Sequence, residues 1–305
     1  MRAVTFDRYG PPEVLAIVEV EEPIPGPGEV LITVDAAALN AIDSKVRRGA
    51  RPVANLPAGT GRELSGIVAA VGDGVDDIDV GELVIATGEG ALRERYLATR
   101  GLVMPVPAGL DPVVAACLPV APQTAWCAVE SQEIGIEDTV LVSAAAGGVG
   151  FIAAQLAIAK GARVLGTAGP RNDALLRSIG VTPVRYGPDL AERLRAAAPD
   201  GITVVLDHHG PETIEAALAL GVPRERINST SGLAERYVVP AVGRVGLDPA
   251  IIQALAERIV SGALQLPIER VYPLDEVVNA FRHLDTGHLS GKIVIDVAGR
   301  NGERP

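Results

Sequence analysis

Cysteine is nearly absent: Cys117 and Cys127 are the only two in 305 residues. Two thiols cannot build a four-thiolate zinc site, and both are expected to be small, buried, apolar residues. Lysine is scarcer still for its class, with Lys45, Lys160 and Lys292 against 24 arginines, a bias read as genome composition. Aromatic residues make up 3% of the chain. No apolar run approaches the roughly 18 residues of a membrane span. No signal peptide precedes the strand pattern of Met1-Arg-Ala-Val-Thr-Phe-Asp7, so the expected compartment is the cytoplasm. Positive charge is in deficit, 27 basic against 38 acidic residues, for a net charge of −11. That balance argues against a nucleic-acid or anionic-membrane partner and leaves a small molecule as the expected one. What is abundant is apolar: 48% hydrophobic residues and a mean hydropathy of +0.28, the composition of a globular chain with ample core.

The most informative stretch is Thr139-Val-Leu-Val-Ser143-Ala-Ala-Ala-Gly147-Gly-Val-Gly150. Val140 to Val142 form the continuous apolar run of a parallel strand covered on both faces. Gly147 permits a sharp turn and close ligand approach, and Gly150 removes a side chain where the next helix packs on the sheet. That helix is expected from Val149 to Lys160, its N-terminus aimed at the turn where a pyrophosphate would sit. The usual pattern is G-x-G-x-x-G, but Ala145 stands in the first position. A second apolar strand, Ala162 to Thr167, completes a βαβ unit of about 30 residues. Dinucleotide binding through Ala145, Gly147, Gly148, Val149 and Gly150 is therefore expected, the alternative being an ordinary tight turn.

The end of the second strand predicts which dinucleotide. An acid there would hold a ribose 2'-hydroxyl. The chain has Thr167-Ala-Gly-Pro-Arg171-Asn172 instead, with no acid before Asp173. Small neighbours and a cation suit a 2'-phosphate, which makes NADPH the expected cofactor and Thr167 and Arg171 its contacts. Arg171 reads alternatively as a solvated first-turn residue.

Residues 1–110 read as many short strands between glycine and proline turns, with strands at 14–20, 29–37, 64–71, 81–86 and 102–106, a barrel-like pattern. Asp111-Pro112 is a helix start. Residues 111–242 then alternate strand and helix, with strands near 140–143, 163–167, 182–185, 203–207 and 226–229. Such alternation predicts an α/β, doubly wound parallel sheet of the Rossmann kind. Residues 243–305 carry helices at 248–262 and 275–284 and a last strand at 291–297, and 300–305 reads as a frayed tail.

With these pieces placed, the chain resembles the medium-chain dehydrogenase/reductase superfamily, and within it the zinc-independent, quinone oxidoreductase-like branch. The residues that carry the resemblance are Pro25-Gly-Pro-Gly-Glu-Val30, Asn40-Ala-Ile-Asp43, Gly61-Arg-Glu-Leu-Ser-Gly66, Val80-Gly-Glu-Leu-Val84, Leu118-Pro119 with Thr124-Ala-Trp126, and Ala145 to Gly150. The resemblance implies that residues 1–110 and 243–305 form one GroES-like catalytic domain around an inserted nucleotide domain. It also implies an active site in the cleft and a homodimer. Metal enzymes of the superfamily place a histidine where this chain has Arg62, and their other ligand positions fall on Ala37 or Ala38 and on Val120. Arginine, always charged, is no ligand, so no metal is expected. Adjacent His208 and His209 are expected to cap a strand end.

The resemblance also names catalytic candidates. Asn40 matches an asparagine near the nicotinamide, where an amide can orient a carboxamide or a carbonyl. Thr124 matches a threonine against the ring, or packs inside a helix beside Trp126. Lys45 stands where related quinone reductases often have tyrosine; it polarises a carbonyl, or is merely solvated. Arg62 pairs with an acid in the space zinc would take, or holds an anionic substrate group. Tyr186 falls where similar enzymes contact the 2'-phosphate or adenosine, or is a plain core or surface tyrosine. Short-chain dehydrogenase chemistry is excluded, since none of the five tyrosines has a lysine four residues later. Three functions stand open: an NADPH-dependent quinone or enone reductase, a biosynthetic enoyl or ketone reductase, and a cofactor-binding protein without turnover. The short loop from Thr87 to Ala91 keeps the third in play.

Overall fold

The computed structural model describes residues 1–243 and 246–299. In chain order it begins with β1 (Arg2–Phe6), β2 (Leu15–Glu19), β3 (Glu29–Leu39), α1 (Ala41–Arg47), β4 (Ala58–Gly59), β5 (Glu63–Val71), β6 (Leu83–Thr87), β7 (Arg95–Thr99) and β8 (Val103–Pro105). Helices α2 (Pro112–Ala115) and α3 (Ala121–Glu130) lead into β9 (Thr139–Val142), α4 (Gly148–Ala159), β10 (Arg163–Thr167), α5 (Asp173–Ser178) and β11 (Thr182–Val184). The alternation continues with α6 (Leu190–Ala197), β12 (Val204–Asp207), α7 (Pro211–Ala219), β13 (Ile227–Ser229) and α8 (Ala234–Tyr237). Last come α9 (Pro249–Val260), β14 (Ile268–Pro273), α10 (Val277–Asp285) and β15 (Lys292–Asp296). The expected tail at 300–305 lies outside the described residues.

The chain divides into two compact units. One takes Met1–Val120, Val245–Ala263 and Pro267–Pro305; the other takes Ala121–Arg244 and Leu264–Leu266. The segment 111–120, read from sequence as the opening of the nucleotide domain, groups with the first unit. Asp111 does start a helix there, its carboxylate accepting from Val113 N and Val114 N.

In the first unit β3 organises the sheet ordered β14-β15-β3-β5-β6-β8. One edge of its eleven residues pairs with β5. Glu29 to Thr33 pair with β7 and Ala36 to Leu39 with β15, so two strands follow one another along a single partner. A second sheet, β2-β1-β4, completes the unit. Val30, Ile32, Val34, Leu64, Val84, Phe281, Ile293 and Ile295 form its core. Strands β7 and β14 escape the sequence reading, because Arg95-Tyr-Leu-Ala-Thr99 and Ile268-Glu-Arg-Val-Tyr-Pro273 carry charge and show little continuous apolar run.

The second unit is a parallel sheet ordered β11-β10-β9-β12-β13. Its order reverses at β9, between β10 on one side and β12 on the other, which is the topological switch point of a doubly wound fold. Val140, Leu141, Val142, Val204, Val205 and Leu206 are fully buried, as the apolar runs require. Helix α4 starts one residue earlier than expected and ends at Ala159. Cys117 is buried, its thiol pushed up by that burial, and Cys127 is half-buried. Among the described residues, no helix is long and apolar enough to cross a membrane.

Candidate active site and nucleotide cradle

In the first unit the chain leaves β3 at Leu39 and turns into α1 through Asn40, whose backbone is extended. Asp43 Oδ2 accepts from Asn40 N at 2.8 Å, one arm of a capping box that fixes the first turn. The Asn40 amide points inward. Its Nδ2 donates to Glu63 Oε1 at 2.8 Å and weakly to Ala38 O at 3.5 Å, and its Oδ1 accepts from Lys292 Nζ at 2.6 Å. Lys292 spends its other two donors on Leu39 O and Glu63 Oε1, each at 2.9 Å. Val120 N donates to Glu63 Oε2 at 2.7 Å. Glu63 and Lys292 are 0% and 2% exposed, so the charges face each other out of water with their hydrogen bonds satisfied, the condition a buried ion pair needs. The Asn40 amide is thus held from both ends, with Nδ2 on Glu63 and Ala38 and Oδ1 on Lys292.

Burial pushes the Asp43 carboxyl up to about 7, against the opposing pull of the Asn40 N–H and the charges of Arg62 and Lys292. Burial likewise raises Glu63, opposed by Lys292. Lys45 is half-buried on α1 two residues beyond Asp43, a spacing that turns the two side chains apart. Arg62 precedes β5 and pairs with Glu89 at 3.2 Å.

In the second unit the turn after β9 is held by Thr167. Its Oγ1 accepts from Ala144 N at 3.1 Å and its carbonyl accepts from Ala145 N at 3.0 Å. Thr167 is 3% exposed, so it shapes the turn from beneath. Ala144 takes the left-handed conformation, φ 46°. The alanine at 145 is accommodated from across the sheet: a Cβ at Gly166 would lie 2.5 Å from that of Ala145. A Cβ at Gly150 would lie 2.4 Å from Ala144 O, so the fold itself demands glycine there. A Cβ at Gly147 would meet only Ala144 O, at 3.3 Å. Gly147, Gly148 and Val149 stay partly exposed at the N-terminus of the twelve-residue α4. The bare backbone there is the close approach a pyrophosphate needs, so these residues fit a dinucleotide.

At the end of β10, Arg171 is exposed on the turn Pro170–Asn172. Tyr186 is 45% exposed, and its hydroxyl lies 3.5 Å from where a Cβ on Gly169 would stand. The nearest acid, Asp173, is gripped by both arms of Arg185 at 2.5 and 2.6 Å, and that pairing holds its carboxyl below the usual range. Thr124 is half-buried on α3.

Sequence reasoning missed Lys292, Glu63, Asp43 and Arg185 as site residues. Lys292 left one trace, a lone lysine opening an apolar strand in a chain with three. It also missed Asp207, which is fully buried and accepts from Ser143 Oγ, Ser229 Oγ and Ser231 Oγ at 2.7–2.9 Å, tying together the ends of β9, β12 and β13. His208 follows it, with Nδ1 3.0 Å from Thr230 Oγ1, and burial lowers that imidazole to about 4, so it is neutral. Among the described residues, no three His, Cys, Asp or Glu side chains assemble as metal ligands would.

A doubly wound sheet with a glycine turn at its switch point, set within a chain whose β-sheet unit resumes after it, defines a class of two-part nucleotide-binding proteins. Two family models match: the alcohol dehydrogenase GroES-like domain over residues 26–108, and zinc-binding dehydrogenase over residues 167–295. The quinone oxidoreductase of Pseudomonas aeruginosa is 31% identical, over 96% of this chain and 99% of its own. The Escherichia coli quinone oxidoreductase solved in complex with NADPH superposes with a TM-score of 0.88 at 26% identity, covering 97% of this chain and 100% of that one. The CurK enoyl reductase superposes with a TM-score of 0.82 at 26% identity, covering 97% and 98%. The chain belongs to the medium-chain dehydrogenase/reductase superfamily, in its quinone oxidoreductase-like branch.

Proposed function

We propose that this protein is an NADPH-dependent, zinc-independent oxidoreductase that reduces a quinone or an alkene conjugated to a carbonyl. The observation that carries the cofactor is the end of β10, where Ala168 replaces the acid, Arg185 holds Asp173 away, and Arg171 supplies a cation. The reaction class is supported by the full-length likeness to a quinone oxidoreductase. Gly147, Gly148 and Val149 would hold the pyrophosphate, with Arg171 and Tyr186 on the 2'-phosphate. NADPH supplies the hydride when bound. The protein's own groups position and protonate. Asn40 is locked by Lys292 and Glu63 so that Oδ1 faces one way, Thr124 braces the ring, and Lys45 or Arg62 donates to the substrate. A carboxyl that keeps its proton near neutrality suits reduction better than removal of an alcohol's proton. The same reading takes the working form to be a cytoplasmic homodimer.

The likeness to CurK supports a second reading, an enoyl reductase in a biosynthetic pathway. A panel of quinones, enones, enoyl thioesters and simple alcohols separates these readings. Alcohol oxidation with NADP⁺ that outruns every reduction would sink both. For the cofactor, Arg171→Ala is expected to weaken NADPH by roughly 10- to 150-fold and to leave NADH nearly unchanged, measured by titration. Equal affinities for the two nucleotides in the unaltered protein would refute the assignment.

A further inference from the structure

Beside α1, within the first unit, lies a small, partly open recess walled by Asp43, Val46, Val53, Thr60, Arg62 and Glu89. It has room for about one water-sized group, the size of a single carbonyl oxygen. Its polar wall is built in. The loop after β6 is tied to the backbone at Arg62: Thr87 Oγ1 and Gly88 N donate to Arg62 O at 2.8 and 3.0 Å, and Ala91 N donates to Gly61 O at 3.1 Å. These bonds put Glu89 on a short loop anchored beside Arg62. Its carboxylate meets the Arg62 guanidinium at 3.2 Å through one contact, with the glutamate side chain 76% exposed and the arginine 25%. A pair this exposed contributes little to stability and exchanges readily for a better acceptor.

We propose that the Glu89 carboxylate occupies the place of a substrate oxygen, and that the cavity takes the carbonyl end of the substrate, with Arg62 donating to its oxygen and Asp43 holding the proton that oxygen receives. This rests on the reductase reading and adds to it the oxygen-binding group and the proton donor. When hydride, with the reduced nicotinamide of that reading as its source, reaches a conjugated carbon, the displaced electron pair settles on the carbonyl oxygen. The Asp43 O–H bond then breaks as an O–H bond forms on that oxygen, and the negative charge passes to Asp43. The charged groups that face Asp43 are Arg62 and Glu63 from the start of β5 and Lys292 from β15, with the Asn40 N–H at 2.8 Å. Burial keeps the carboxyl protonated up to about pH 7.

The test is binding without nucleotide, with 4-nitrophenol as probe, since its phenol and phenolate absorb differently. Glu89→Ala and Glu89→Gln are expected to tighten phenolate binding several-fold by removing the internal competitor. Arg62→Ala is expected to weaken it by about 10-fold or more, with Arg62→Lys intermediate. In the unaltered protein, phenolate binding is expected to fall as pH rises through 7 and Asp43 ionises, and in Asp43→Asn that fall disappears. Weaker or unchanged binding in both Glu89 variants, or unchanged binding in both Arg62 variants, overturns the proposal. Loss of the probe with normal turnover sinks the pocket alone. Probe binding that follows these residues, in a protein that reduces nothing, sinks the reductase reading alone.

Discussion

At the scale of the residue, Asp43 sets the most specific expectation. Its carboxyl is raised from 3.8 to about 7 by burial, so the folded state holds the proton more tightly than the unfolded chain does. That contribution to stability is complete below about pH 4 and is lost as pH rises to about 7. Glu63 is raised and acts in the same direction. His208 is lowered to about 4 and acts oppositely, its contribution present above about pH 6.5 and lost toward pH 4. Comparing Asp43→Asn with the unaltered protein isolates the first effect, because the amide can still accept from Asn40 N. The variant is expected to gain about 2–4 kcal/mol relative to the unaltered protein between pH 4 and pH 7, measured by urea unfolding at several pH values. A difference that does not change with pH would mean that Asp43 titrates normally.

At the scale of the element, the turn from β9 into α4 separates what the fold needs from what a ligand needs. Gly150 faces backbone at 2.4 Å, so Gly150→Ala is expected to cost about 1–3 kcal/mol of stability. Gly147 has φ −81° and only one neighbour, at 3.3 Å, so Gly147→Ala is expected to fold with stability changed by less than about 1 kcal/mol. The same substitution places a methyl group where a pyrophosphate would approach and is expected to weaken NADPH by about tenfold or more. Calorimetric titration beside thermal unfolding checks both. A Gly147→Ala protein that binds NADPH normally would place the pyrophosphate elsewhere. Helix α1 is anchored on a different principle: Arg47, fully buried at its end, bonds Asp285 Oδ2 at 2.5 Å and Gly10 O at 3.1 Å.

At the scale of the whole molecule, the question is the metal. Lys292 puts a full positive charge 2.9 Å from Glu63 Oε1, beside the position Arg62 takes from the histidine of metal enzymes. A divalent cation there would face two fixed cations. Metal analysis is expected to find no stoichiometric zinc, and a chelator to leave both the melting temperature and NADPH oxidation unchanged. One zinc per chain with activity lost to chelator would overturn the zinc-independent reading and the roles given to Arg62 and Lys292.

Much of the second unit was written in the sequence, because its signals are local. Apolar runs such as Val140-Leu-Val142 report two-sided burial, and a glycine turn between strand and helix reports a close approach; both lie within a dozen residues. The replacement of the acid by Ala168 was legible for the same reason. The network of the first unit was not. Lys292 meets Asn40 across 252 residues, and Glu63 meets it across 23. These meetings depend on strand register: Ile293 pairs with Leu39, and Ala37 with Leu64. A slip of one residue would send each side chain to the other face, and no local pattern records which register is taken. The Asp43 carboxyl was visible as a residue, but its proton is a consequence of burial, which only the packed tertiary structure decides.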